Sequence, residues 1–480
     1  MMSEKKTGLI SGFAWRFAER CGAQGVTFVV SIVLARLLDP AVYGSIALIT
    51  VFTSLLQVFV DSGLGNALIQ KKDADALDFS TVFYTNVTAC LILYLCMFLA
   101  APWIAGFYRQ PELTPVIRVM SLTLVISGVK NVQQAYVSRH MLFKRFFFAT
   151  LGGTITAAVV GIWMAWRGWG IWALVVQNLV NQTMDTVILW LTVKWRPQWR
   201  FSFQRLKGLF GYGWKLLASA LLDKLWQEAN QLIIGKKYSS ADLAFYNKGK
   251  QFPELGASNI TASIDSVLLP AMSNIQENRD AVKKMTRHAI SFSSFVLWPL
   301  MIGLAACAEP FVRLLLTDKW LDCVPYLRIF CVVYAFYPIH TANLNAIKAL
   351  GRSDLFLKLE ILKKTINLAI LLVSMWFGPM VMAYSALLGS VISQIINSSP
   401  NKKLLGYSYG EQIRDILPCI LLSLFMGAAV YCVSLLGLSA GATLLVQVPL
   451  GAALYTLGAK ALNMESLTYL KNTIREKLGH

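Results

Sequence analysis

Long apolar blocks recur along the chain, and they constrain the fold more than any other feature of the sequence. Each block runs for about 18–25 residues, the length of helix that crosses a hydrocarbon core about 30 Å thick. A backbone inside lipid must satisfy its own hydrogen bonds, so blocks of this length predict α-helices; membrane-barrel strands would show alternating segments of about ten residues. The composition agrees, because 56% of the residues are hydrophobic and only 14% are charged. The sequence therefore predicts an all-α integral membrane protein.

Fourteen segments are predicted to span the membrane, and the connections between them are too short to hold a soluble domain. In chain order, the predicted spans are 8–38, 41–65, 78–101, 114–137, 146–166, 169–192, 209–235, 242–272, 288–308, 323–349, 356–377, 380–398, 412–436 and 439–461. The absence of a large loop or soluble domain argues against a membrane-bound enzyme, which usually places its chemistry there.

Lysine and arginine are concentrated in alternate connections, such as 193–208 and 398–411, and are sparse in the intervening ones. This alternation follows the positive-inside rule and predicts that both termini lie in the cytoplasm. It also accounts for most of the net charge of +19, so the basic balance does not predict a nucleic-acid partner.

A short motif occurs twice, as Gly8–Arg16 and as Gly208–Lys215, and each copy opens a long predicted helix. The repetition predicts an internal duplication with six spans in each copy. Residues 1–200 would form an N-lobe of spans 1–6, and residues 201–405 a C-lobe of spans 7–12. Residues 406–480 would add two further spans and a cytoplasmic tail. Transporters often contain such repeats, with the substrate site between the halves.

Polar residues follow one helical face in two predicted spans. In span 8 they are Asn247, Lys250, Glu254, Ser258, Thr261 and Asp265. In span 2 they are Thr50, Ser54, Gln57, Asp61 and Gly65. Steps of three or four residues place each set on one side of its helix. A charge at the bilayer centre costs at least about 2.5 kcal/mol, so these faces are predicted to line a water-filled cavity.

Cations are concentrated in the predicted cytoplasmic halves of spans 1, 4 and 7. Together with neighbouring polar side chains they form the predicted substrate-binding site: Arg16, Arg20, Gln24, Lys130, Lys215, Lys224, Asn247 and Lys250. A cationic vestibule suits an anionic substrate such as a phosphate or pyrophosphate. Two alternatives stay open. Arg16 and Lys215 could extend to the membrane interface, and Lys250 could pair with Glu254 within its own helix.

Three intramembrane carboxylates, Asp61, Glu254 and Asp265, are the candidates for proton or sodium coupling. The chain has no GxxxxGK[ST] phosphate loop, so the sequence predicts a transporter that does not hydrolyse ATP and has no cofactor. The eight cysteines form no CxxC pair and the four histidines are scattered, so no metal site is predicted.

Several short motifs follow one another in a specific order and spacing. They are Val33–Pro40 with Tyr43-Gly44, Asp61–Lys72, Asp78–Tyr84 with Asn86, Tyr246-Asn247 with Pro253, Val267–Ala271 with Ile275-Gln276, and Asp318-Lys-Trp320. In these motifs the chain resembles the Wzx-type polysaccharide flippases, in particular the branch that exports colanic acid and teichuronic acid units. The resemblance covers nearly the whole chain and fades in the last two spans.

This resemblance implies the multidrug/oligosaccharidyl-lipid/polysaccharide (MOP) superfamily, with two six-helix lobes arranged as a V and two additional helices. It implies translocation of undecaprenyl-pyrophosphate-linked oligosaccharide across the bacterial cytoplasmic membrane by alternating access, for cell-surface polysaccharide biosynthesis. The implied partners are this lipid-linked sugar and membrane lipids, with a polysaccharide polymerase and glycosyltransferases as further candidates. The alternatives are another exported substrate, either lipid-linked peptidoglycan precursor or a drug, and a membrane polymerase, which would need a large outer loop.

Overall fold

The computed structural model describes residues 15, 22–61, 64–71, 73–469 and 472, with the side chains of 209, 211–213, 215 and 216 left out. This part of the chain is helical between its short connections and contains no strand, which confirms the predicted all-α fold. The α-helices are α1 Gly22–Leu37, α2 Pro40–Asp61, α3 Leu64–Gln70, α4 Ala76–Phe107, α5 Leu113–Met120, α6 Leu122–Arg139, α7 Phe143–Trp166, α8 Ile171–Thr192, α9 Phe203–Lys237, α10 Ser240–Ser273, α11 Arg279–Ala306, α12 Ala308–Leu316, α13 Val324–Ala335, α14 Tyr337–Ala349, α15 Ser353–Ser374, α16 Pro379–Leu405, α17 Tyr409–Val433 and α18 Ala440–Ala461.

Nine helical stretches among the described residues are long and apolar enough to cross a membrane. The five other predicted spans correspond to α1, α8, α9, α10 and α15. Helix α1 is apolar but is described only from Gly22 onward, and the other four have 22 to 35 residues with polar side chains interrupting the apolar pattern. The fourteen predicted spans therefore all correspond to helices, and the less apolar ones include α10, which carries the polar face predicted for span 8.

Spans 4 and 10 are each broken into two helices, at Ser121 between α5 and α6 and at Phe336 between α13 and α14. In both cases an arginine in the first half donates a hydrogen bond to the preceding long helix. The Nε of Arg118 donates to a main-chain carbonyl of α4 at 3.2 Å, and the Nε of Arg328 donates to one of α11 at 3.3 Å. This shared construction supports the predicted duplication.

The chain divides into two compact units, Met1–Leu243 and Ala244–His480. Helix α9, which the sequence places at the start of the 201–405 lobe, packs against α2 and α3 within the first unit. Helices α9 and α2 approach closely at Gly235 of α9, where an added Cβ would overlap the side chain of Leu48 on α2. The predicted lobe boundaries concern duplication rather than packing, and they stay a prediction.

A buried carboxylate fastens the connection between α8 and α9 to the first turn of α4. Asp78 is fully buried, and its oxygens lie 2.6 and 2.7 Å from the Nζ of Lys71 and 3.3 Å from the guanidinium of Arg205. Asp78 and Asp75 also form a capping box at the start of α4. Two backbone N–H groups of the connection donate to hydroxyls in the same turn of α4. The entry to α9 is therefore held rigidly against its own unit.

Candidate functional site

The predicted polar stripe of α10 lies on a face that its own unit leaves largely uncovered. Glu254, Ser258 and Asp265 are exposed, while Lys250 and Thr261 are half-buried. An exposed carboxylate on a membrane-spanning helix is too costly to leave facing lipid. That this face of α10 lines an aqueous cavity, as the periodicity predicts, stays a prediction.

Lys250 and Glu254 form the loose ion pair that the sequence left open as an alternative. The Nζ of Lys250 lies 3.9 Å from the nearer oxygen of Glu254, and the two side chains are 37% and 49% exposed. A long and partly solvated ion pair holds its members weakly, so Lys250 stays accessible to an anionic ligand.

The carboxylate at the far end of this stripe has a carboxamide partner. The Nδ2 of Asn345 on α14 donates to Oδ1 of Asp265 at 2.5 Å. In the first unit, Asp61 at the end of α2 accepts from Gln57 at 3.2 Å and from Asn131 on α6 at 3.5 Å. Both aspartates are exposed.

Lys130 is buried in the first unit with partners on α8. Its Nζ lies 2.6 Å from the amide oxygen of Gln182 and 3.0 Å from Oδ2 of Asp185. This geometry is that of a buried ion pair, and the assignment of Lys130 to the substrate site stays a prediction. Asp185 was not among the predicted site residues, although a single acid near the centre of an apolar span was the signal that could have found it.

Lys224 pairs with Glu228 one turn later in α9, at 2.7 Å. Glu228 is buried and also accepts from Gln231 at 2.6 Å and from the hydroxyl of Ser54 on α2 at 3.3 Å. The cluster therefore joins α9 to the polar face of α2 within the first unit.

The remaining predicted site residues are placed as follows. Arg16 and Arg20 lie outside the described residues, as does the side chain of Lys215. Gln24 is exposed on α1, and Asn247 is half-buried on α10. Among the described side chains, the predicted cations thus occupy two ion pairs in the first unit and one in the second, rather than a single cluster.

Sequence reasoning also missed a buried carboxamide network in the second unit. Asn343 on α14 donates to the amide oxygen of Gln412 on α17 at 2.7 Å and accepts from Asn401 on α16 at 2.6 Å. These three side chains are fully buried, so they tie three helices together and take no part in an open site. The described residues contain no group of three or more His, Cys, Asp or Glu placed to hold a metal ion.

Membrane-length helices, broken spans in both units and a polar helix face left uncovered are features of a polytopic membrane transporter. The chain belongs to the family described as polysaccharide biosynthesis protein, whose profile matches residues 33–325. This result confirms the family expected from the sequence motifs.

Several relatives are about one quarter identical to this chain over the aligned residues. It is 25% identical over 311 residues to the teichuronic acid biosynthesis protein TuaB of Bacillus subtilis (strain 168), covering 63% of each chain. It is 24% identical over 437 residues to the lipopolysaccharide biosynthesis protein WzxC of Escherichia coli (strain K12), covering 87% of each chain. The chain spans just under two thirds of the length of TuaB, and 64% of the succinoglycan biosynthesis transport protein ExoT of Rhizobium meliloti (strain 1021).

Solved structures show the same fold. The lipid II flippase MurJ in an inward closed conformation matches with a TM-score of 0.77 at 14% identity, over 94% of this chain and 98% of that chain. An inward-facing multidrug resistance MATE family transporter of the MOP superfamily matches with a TM-score of 0.61 at 15% identity, over 79% and 94%. The predicted MOP-type fold is therefore confirmed, and these relatives are transporters rather than catalysts.

Proposed function

We propose that this protein is a flippase that moves an undecaprenyl-pyrophosphate-linked oligosaccharide from the cytoplasmic to the outer leaflet of a bacterial cytoplasmic membrane. In this proposal both termini lie in the cytoplasm and transport proceeds by alternating access. The polar face of α10 is the observation that carries it, because a glycan head group needs a hydrated path lined by polar groups. The relatives named for teichuronic acid, lipopolysaccharide and succinoglycan biosynthesis support a cell-surface glycan as the cargo.

In this proposal Lys250 binds the pyrophosphate. An ammonium group 3.9 Å from its carboxylate partner can exchange that partner for phosphoryl oxygens at low cost. We also propose Arg16, Arg20, Gln24 and Lys215 as contacts of the anionic head group, while the polyprenyl chain stays in the bilayer. A polysaccharide polymerase and glycosyltransferases are the proposed partners, since they would consume and supply the cargo.

Of the three carboxylates predicted for ion coupling, Glu254 has the most suitable neighbour. Protonation of Glu254 would remove the charge that holds Lys250 and release the ammonium group toward the anionic cargo. Return of the carboxylate would favour release of the cargo. Proton movement would thus be linked to pyrophosphate binding through one pair of side chains.

The proposal is tested by measuring lipid-linked oligosaccharide in cells that lack the protein. We expect undecaprenyl-linked sugar to accumulate in the inner leaflet, and the wild-type gene to clear it. Lys250→Ala should fail to clear it, whereas Lys403→Ala, a matched change of an exposed lysine at the end of α16, should behave as wild type. Unchanged lipid-linked sugar and unchanged surface glycan in the deleted cells would refute the proposed cargo. Accumulation of lipid-linked peptidoglycan precursor instead would assign a different cargo.

A further inference from the structure

The polar stripes of α2 and α10 have the same spacing. Thr50, Ser54, Gln57 and Asp61 correspond to Glu254, Ser258, Thr261 and Asp265, and every residue of the second set lies 204 positions after its counterpart. The residue types change at two of the four positions, but the last is aspartate in both. Serine at the second position and aspartate at the last are the two residues that the stripes share.

In each unit this aspartate meets an asparagine from the second half of a broken span. Asn131 follows the break at Ser121, and Asn345 follows the break at Phe336. Both asparagines donate a carboxamide N–H to the carboxylate, at 3.5 Å for Asp61 and 2.5 Å for Asp265. The two halves thus place one carboxylate–carboxamide pair at equivalent positions of the repeat.

The direction of these hydrogen bonds indicates which ligand would fit. The Oδ1 of Asn131 accepts from Asn86 at 3.1 Å, so its N–H group is the one that faces Asp61. Each aspartate is therefore held by N–H donors and presents further lone pairs to its exposed side. A hard cation would need several oxygen ligands, and no cluster of three or more acidic, His or Cys side chains exists among the described residues. Hydroxyl groups, which donate hydrogen bonds, complement such carboxylates directly.

We infer that Asp61 and Asp265 are repeat-related sugar-binding residues, and that each of them accepts hydrogen bonds from hydroxyls of the transported glycan. The inference rests on the proposed function and assigns its glycan contacts, which no family motif fixes. The two positions are not equal. Both oxygens of Asp61 already accept from Gln57 at 3.2 Å, whereas the counterpart of Gln57 is Thr261, and Oδ2 of Asp265 has no protein donor among the described residues. We therefore expect Asp265 to contribute more to glycan binding than Asp61.

The test uses the full-length protein in lipid nanodiscs and two soluble probes. One probe is the oligosaccharide released by mild acid from the lipid-linked pool of the same cells, and the other is inorganic pyrophosphate. We expect Asp265→Ala to weaken oligosaccharide binding about tenfold, the usual size of a lost hydrogen bond to a charged group. We expect Asp61→Ala to weaken it about threefold. Pyrophosphate binding should be unchanged in both, and Ser263→Ala, an exposed control on α10, should bind both probes as wild type does.

Asp265→Asn separates hydroxyl binding from ion coupling. An amide oxygen still accepts a hydrogen bond, so this variant should bind oligosaccharide better than Asp265→Ala and keep the pH dependence of transport. Equal loss in the Asn and Ala variants, together with loss of the pH dependence, would identify a proton carrier and overturn the inference. If Asp265→Ala does not fold, Asn345→Ala removes the orienting donor and should also weaken oligosaccharide binding selectively.

The failure of this inference differs from the failure of the proposed function. Oligosaccharide binding by wild type that every aspartate variant retains would overturn the inference alone. A wild-type protein that binds no oligosaccharide and does not clear lipid-linked sugar in cells would overturn the proposed function, and the inference with it.

Discussion

Each of the two compact units contains an intramembrane ion pair between a lysine and a carboxylate, but the two pairs differ in distance and burial. In the first unit, Lys130 and Asp185 meet at 3.0 Å with side chains 11% and 13% exposed. In the second unit, Lys250 and Glu254 are 3.9 Å apart and 37% and 49% exposed. A buried pair resists the loss of either member, whereas a solvated pair can exchange its partner. We therefore expect the first pair to contribute to stability, and the second is the pair that the proposed function uses for binding.

The largest effect on stability is expected when the buried pair is broken. Lys130→Ala leaves the carboxylate of Asp185 buried without its cation, and should lower the free energy of unfolding by about 3–5 kcal/mol. Denaturant unfolding in detergent micelles would measure the loss. The double variant Lys130→Met/Asp185→Leu is the control and should recover most of the stability. If Lys130→Ala has the same free energy of unfolding as wild type, the buried pair does not stabilise the protein more than the solvated pair does.

A smaller loss is expected at the buried carboxylate that fastens the entry of α9. Asp78→Ala removes the partner of Lys71 and Arg205, but these cations are 30% and 40% exposed and can reach water. The free energy of unfolding should therefore fall by about 2–3 kcal/mol, less than for Lys130→Ala. Asp73→Ala, an exposed neighbour, is the matched control in the same unfolding experiment. An equal effect of the two variants would show that the buried position of Asp78 carries no special weight.

The solvated pair should show little effect on stability and a clear effect on transport. Lys250→Ala is expected to change the free energy of unfolding by less than about 1 kcal/mol while abolishing clearance of lipid-linked sugar. Glu254→Gln copies the protonated acid, so it should bind inorganic pyrophosphate more tightly and with less dependence on pH. Measurements of unfolding and pyrophosphate binding on the same preparations test both statements. A loss of stability matching that of Lys130→Ala would make both pairs structural.

The smallest effect is expected at Asp75, outside the membrane spans. A hydrogen bond from the backbone N–H of Asp78, with Arg205 nearby, lowers the pKa of the Asp75 carboxyl. A depressed folded-state pKa gives stability that is present above the unfolded value of about 3.9 and is lost as the pH falls through the folded value. The difference in melting temperature between wild type and Asp75→Asn should therefore shrink from pH 6 to pH 3. A difference that stays constant over this range would contradict the assignment.

The sequence predicts best what depends on neighbours along the helix. The six-residue stripe of α10 needs only steps of three or four positions, and it lies on one uncovered face as expected. The ion pair of Lys130 could not be predicted in the same way, because Asp185 lies 55 positions away and on another helix. The break at Ser121 was also missed, since no proline or glycine marks it. Packing of α9 against α2 likewise depends on contacts between distant segments.

The charged core of α9 has a consequence for how the protein enters the membrane. Lys224 and Glu228 neutralise each other within one turn, and the hydroxyl of Ser54 on α2 completes the contacts of the buried carboxylate. A helix with this content is poorly retained by lipid alone and gains from a partner that is already inserted. Synthesis from the N-terminus supplies α2 before α9 leaves the ribosome. The order of synthesis therefore also sets the order in which these helices assemble in the membrane. A chain starting at residue 201 would insert α9 inefficiently.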